Sequence, residues 1–207
     1  LPYNLDYGYE ILTYPYSYNQ EAGVELLDEA GIVDTNGDGI RELDGQEVVL
    51  HYVTYENRCL DDFAEAIQQQ LAEIGIGVDL EIGDSARQWD SYQSGDFDLN
   101  GSNWTTVGTG DPTEYLAAWC STSGSDYCGY QNDEYDQLFN QLSTTFDEDA
   151  RRDIIQRMQQ ILIDDAVVIV HGYYNSSMIS RNSTIGGAAI HTADYYWLTT
   201  EIYPAAE

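Results

Sequence analysis

The segment Asp34-Thr-Asn36-Gly-Asp38-Gly-Ile40-Arg-Glu42-Leu-Asp44 places side-chain oxygens at alternate positions, with Gly37 and Gly39 between them. A loop of this kind curls around Ca²⁺, which takes about six to eight oxygens at roughly 2.3–2.6 Å. The expected ligands are Asp34, Asn36, Asp38, the Ile40 carbonyl and either Glu42 or Asp44. An EF-hand carries Glu at its twelfth position, where this chain has Gly45, so the expected affinity is modest and the role structural. The same residues also make a good plain turn.

Cysteine offers a second chemistry. Cys120 and Cys128 lie eight apart in a Ser/Gly-rich loop, close enough to form a small disulfide, and three reduced thiols including Cys59 are the alternative. There is no zinc spacing, and His51, His171 and His191 are scattered. With 37 acidic residues, carboxylate pairs arise by chance and carry no information. No nucleophile elbow, HExxH or P-loop is present, so we read a binding protein rather than an enzyme, with no required cofactor.

The elements that must position these groups are organised around residues 48–82. Residues 48–55 (VVLHYVTY) are β-branched and aromatic, as a strand requires. Leu60, Phe63, Ile67, Leu71 and Ile74 then fall on one helical face, with Asn57 as the expected cap and Gly75 as the stop. Val78, Leu80 and Ile82 alternate with Asp79 and Glu81 as a second strand. So short a strand–helix–strand unit makes two parallel strands, and the fold class is α/β.

Before this unit, residues 1–18 carry six Tyr and read as an extended segment packed on something else. Asn19 caps an expected helix to Ala30, with Ala22, Leu26, Leu27 and Ala30 inward. After it come a helix over 85–94 with Trp89 and Tyr92, a strand near Leu99, a loop over 104–110, and a helix start at Asp111-Pro112. Asn132 and Asp147 cap two further helices, and Ala166–Val170 reads as a buried strand.

The chain has 207 residues, enough for a substantial core. Its net charge of −30, with no Lys, excludes nucleic acid and anionic membranes as partners by repulsion. Such a surface resembles that of proteins from salt-loving organisms.

The order of the pieces resembles the C-terminal lobe of the family 5 extracytoplasmic solute-binding proteins of ABC importers for peptides and nickel. The matching stretches are YNQEAGVELLDEAGI, DTNGDGIRELDG, AEAIQQQLAEIGIGVDL, W…GDFDL…W…GDP, CGYQNDEYDQLF and TTFDEDARRDIIQRMQQILIDDAVVIV. The resemblance implies one lobe of a type II periplasmic-binding-protein-like clamshell, with a mixed sheet flanked by helices. Residues 1–207 would be that lobe, about 16–185 its core, and both ends would pack on the missing lobe. It further implies a monomeric, extracytoplasmic, lipid-anchored receptor that captures a small solute and presents it to permease subunits. Solute contacts are expected at the C-terminal strand ends: Tyr55, Trp104, Thr105 and Asp111, with Trp89 beside them.

Peptide-binding members carry an Asp a few residues before the Pro that pairs with the peptide amine. Here the loop is one residue longer, and Val107 or Gly108 stands at that place. Nickel-binding members take a His from the loop after the following helix, and residues 121–130 contain none. The Cys120–Cys128 pair resembles that of dipeptide-binding members, which favours a peptide and implies a disulfide with Cys59 left free. A nickel or metal-chelate receptor of the same family is the alternative. A calcium-stiffened extracellular interaction module resting on residues 34–44 is a third reading.

Overall fold

Three parallel strands form the central sheet, in the order β4-β3-β5: β3 (Val49–Tyr55), β4 (Gly77–Gly83) and β5 (Leu99–Asn100). The computed structural model describes residues 1–3, 5–108, 110–125, 128–174, 184–189 and 200–204. The β3–β4 register runs from Val49 opposite Gly77 to Tyr55 opposite Gly83, so the whole of β3 is paired on this side. Its centre, Tyr52, Val53 and Thr54, is buried because neighbours and helices cover it. Full burial of a side chain such as Val53 contributes about 1.5–3 kcal/mol.

Helix α2 (Leu60–Ala72) makes the crossover and packs on β4 and β3 through Leu60 and Ala64. Phe63, on the expected inner face, is 39% exposed. The expected cap Asn57 is also not used. Cys59 is the N-cap residue, and Arg58 and Cys59 both take left-handed backbone angles, φ 56° and 59°. Asn57 instead offers its carbonyl to the Leu60 N–H at 3.0 Å. Gly75, at φ 83°, closes the far end where a Cβ would lie 2.9 Å from the Arg41 side chain. Helix α3 (Ser85–Ser94), capped by Asp84, packs on β3.

Upstream, Asn19 caps α1 (Gln20–Glu29) as expected, accepting from the Ala22 N–H. The helix buries no residue, and Leu26 is 63% exposed, against the expected inward face. A hairpin of β1 (Glu42–Leu43) and β2 (Gln46–Glu47) follows the acidic loop.

Among the described residues the other elements are a 3₁₀ turn (Tyr9–Ile11), α4 (Thr113–Leu116) with a 3₁₀ turn to Trp119, α5 (Asp133–Leu142), α6 (Glu148–Asp164) and a short pair, β6 (Ile185–Gly186) with β7 (Tyr203–Pro204). Asn132 and Asp147 cap α5 and α6 as expected. The two helices close on Tyr135, Leu142, Ile154, Ile155 and Met158. Beyond α6 the expected buried strand does not form. Residues 166–170 are turn and coil, and Ile169 is 71% exposed. Ala166 takes φ 53°, which ends the helix sharply without presenting the run to a sheet edge.

The contacts group into two compact units. One is Pro15–Trp104 with Tyr127–Gly129 and holds the sheet; the other is Leu1–Tyr14, Thr105–Asp126 and Tyr130–Glu207. In the latter the N-terminal segment packs on α6 of this chain: Gln159 donates to the Tyr7 carbonyl, and the Thr13 backbone pairs with the Gln160 amide. His191 lies outside the described residues.

Candidate functional site

All three strands of the parallel sheet end on one edge, and loops after parallel strands are where α/β sheets take their ligands. Tyr55 ends β3, half-buried, opposite Gly83. Arg58 follows it and donates to Asn103 Oδ1 at 2.8 Å. Trp104, half-buried, donates through its ring N–H to the Ser102 hydroxyl at 3.0 Å. Its ring meets Tyr92 edge-on at 5.9 Å, and Tyr92 in turn contacts Trp89 at 5.6 Å and Phe97 at 6.1 Å. Tyr92 thus joins the two tryptophans singled out from the sequence. Arg58 and Asn103 were missed there; a rare cation just after a strand in a chain of net charge −30 was the available signal.

Thr105 and Asp111 belong to the other unit. Thr105 is exposed. Asp111 is engaged on both oxygens: Oδ1 accepts from the Thr113 N–H at 2.8 Å and from its hydroxyl, and Oδ2 accepts from Arg151 Nη2 at 2.5 Å. Burial works to raise the Asp111 carboxyl; the Thr113 hydroxyl and amide, with the Arg151 guanidinium, outweigh it and hold the pKa below the usual carboxylate range. The carboxylate is thus satisfied inside its own unit.

In the acidic loop, Asp34, Asp38 and Glu42 offer carboxylate oxygens that lie within 4.8 Å of one another. Of the two candidates for the last position, Glu42 is the one brought in, because its backbone bridges Val33. Asp44 is not in the cluster; it sits in the β1–β2 turn at φ 53°. Asp34 accepts from the Gly37 and Gly39 N–H groups, which lowers its pKa. Asn36 presents its NH₂ to Asp38 and Glu42, and Ile40 donates its N–H to Asp38. The donor set fits a hard divalent cation through three carboxylates, provided the Asn36 amide turns over to present oxygen.

The Cys120 Sγ is buried and meets the Thr122 hydroxyl at 3.3 Å. The structure thus holds Cys120 as a thiol, not in the disulfide with Cys128 expected from the resemblance. Cys59 is an exposed thiol.

Residues 1–127 match the family model for bacterial extracellular solute-binding proteins, family 5 Middle. The chain belongs to this family. Among family relatives, it is 27% identical over 180 residues to the oligopeptide-binding protein AppA of Bacillus subtilis, covering 86% of this chain and 33% of AppA. It is 26% identical over 183 residues to the dipeptide-binding protein DppE of the same organism, covering 85% and 33%. The chain therefore spans about a third of the length of the curated relatives it matches. The structure of Bacillus subtilis AppA with a nonapeptide superposes with a TM-score of 0.67 at 28% identity, over 74% of this chain and 31% of that one. NikA of Brucella suis, solved with Fe(III)-EDTA, gives a TM-score of 0.67 at 24% identity over 81% and 34%, which shows the fold. The α/β fold expected from the sequence is that of a part of the type II periplasmic binding proteins.

Proposed function

We propose that this chain is a solute-binding lobe of an extracytoplasmic receptor of an ABC importer. It takes a small solute, a peptide in the leading reading, against the C-terminal edge of its parallel sheet and hands it to permease subunits. The observation that carries this is the convergence of Tyr55, Arg58, Asn103 and Trp104 after parallel strands β3 and β5, in a chain of the family 5 solute-binding proteins. The names of the relatives AppA and DppE, oligopeptide-binding and dipeptide-binding, support a peptide. Catalysis has no place in this reading. The receptor works as a monomer, held at the cell surface by a lipid anchor of the full-length protein, and the acidic loop takes Ca²⁺ only as a structural ion.

The test is calorimetry of the full-length receptor with a series of free peptides and, separately, with Ni²⁺ and nickel chelates. Peptide binding is expected in the full-length protein and about a hundredfold weaker binding in the 207-residue chain, which would hold only part of the contacts. Binding of nickel species without peptide would replace this reading with the nickel one. Binding of neither, with stability responding to Ca²⁺ alone, would favour an interaction module.

A further inference from the structure

Arg151, the fourth residue of α6, reaches three pieces of chain with one guanidinium. Nη1 donates to the carbonyls of Leu142, at the end of α5, and Thr145, at 2.8 and 2.9 Å. Nη2 donates to Asp111 Oδ2 at 2.5 Å and to the Thr113 hydroxyl at 3.3 Å. The segment 110–113 is further tied by Tyr7, whose hydroxyl donates to the Gly110 carbonyl, and by buried Pro112. Gly110 in turn donates its N–H to Val107, which is also buried, while Thr105, Gly108 and Gly110 are exposed. The segment is therefore fastened at buried Val107 and Pro112 and exposes Thr105, Gly108 and Gly110.

We infer that Arg151 and Asp111 are a positioning pair, which holds this segment in its solute-receiving conformation before solute arrives. The inference rests on the proposed reading of the chain as a solute-binding lobe and on the solute contact expected at Thr105. It changes the part given to Asp111. A carboxylate whose two oxygens already accept from Arg151 and Thr113 is not poised to receive a peptide amine; it holds the loop. Pre-ordering a loop spares binding the entropy of fixing it, so the pair acts on affinity without touching solute. A planar guanidinium serves all four acceptors from one position, which an ammonium cannot.

The experiment uses the full-length receptor with Asp111→Asn, Arg151→Gln and Arg151→Lys, and a defined tripeptide series in free and N-acetylated forms, below each variant's unfolding temperature. A positioning pair weakens both forms equally, about tenfold. Asp111→Asn and Arg151→Gln then behave alike, and Arg151→Lys fails to rescue. Amide hydrogen exchange rises over residues 105–113 and stays unchanged in the buried turns of α5 and α6. A loss confined to free-amine peptides would make Asp111 a ligand and overturn the proposal. Unchanged affinity, unchanged exchange over 105–113, or exchange raised throughout α5 and α6 would overturn it as well. If the wild type binds neither peptide form, the peptide reading falls by itself, and the exchange measurement still decides whether the pair holds the loop.

Discussion

Asn36 donates its side-chain amide to Glu42 at 2.7 Å, so a neutral donor stands among carboxylates where a cation would be drawn. Glu42 is only 6% exposed, and its other oxygen takes the Thr35 N–H at 2.7 Å and hydroxyl at 3.0 Å. Three carboxylates this close repel one another, and one divalent ion offsets that more than one amide does. Ca²⁺ should therefore raise the melting temperature with half-saturation on the order of 10⁻⁴–10⁻³ M. Glu42→Gln should abolish the response. A melting temperature insensitive to chelator and to added Ca²⁺ would leave the loop a plain turn.

Arg41 ties three segments of the sheet-bearing unit. Its Nε donates to the Ile74 carbonyl at 2.7 Å, and Nη1 donates to the Ile32 carbonyl at 2.7 Å and to Asp28 at 2.6 Å. The side chain is 13% exposed, so removing it leaves two carbonyls without a partner in a poorly hydrated place. Arg41→Ala should cost about 2–4 kcal/mol, roughly 5–10 °C in melting temperature for a chain of this size. Arg41→Lys should recover less than half, since one ammonium cannot span the fork. A loss below about 0.5 kcal/mol in chemical denaturation would show that water takes over both carbonyls.

Local signals were legible and long-range ones were not. The strand–helix–strand unit of residues 49–83 followed from periodicity, because each part shows its own repeat within one element. Caps at Asn19, Asn132 and Asp147 followed from chemistry that spans three residues. The inward face of α1 did not, since an apolar stripe at Leu26 shows where a neighbour would fit and not whether one is there. Ala166–Val170 failed for a related reason: apolar composition suits a buried strand, but pairing needs a free edge. At the site, Tyr55 and Trp104 were placed by strand order. The Asp111–Arg151 pair spans 40 residues of sequence, and no local pattern announces it.

The surface charge sets a third expectation. Arg41, Arg87, Arg151, Arg152 and Arg157 each hold a carboxylate within their own unit, so the scarce cations act as internal ties. Much of the charge of −30 then stays uncompensated at the surface. Screening lengths fall from about 10 Å at 0.1 M salt to about 3 Å at 1 M. The thermal midpoint should rise steeply with KCl over that range. A flat midpoint would mean that the carboxylates are already neutralised locally.

The last expectation concerns pH and Asp111. Its folded pKa lies below the ordinary 3.8, so the charged form is favoured by folding. The stability this supplies is fully present above the unfolded pKa and is lost as pH falls through the folded value. Asp111→Asn removes the titrating group and keeps an oxygen for the Thr113 N–H. At pH 7 the variant should be less stable by about 0.5–1 kcal/mol, a small figure because the side chain is 46% exposed and the ion pair is screened. The gap should stay constant above the unfolded pKa, narrow as the pH falls below it and close once the pH has passed the folded value. Comparing differences cancels the relief of surface repulsion on acidification, which affects both proteins alike. Urea titrations of both at several pH values measure it. A gap that persists unchanged at the acid end would assign the loss to packing or the altered hydrogen bond rather than to the charge facing Arg151.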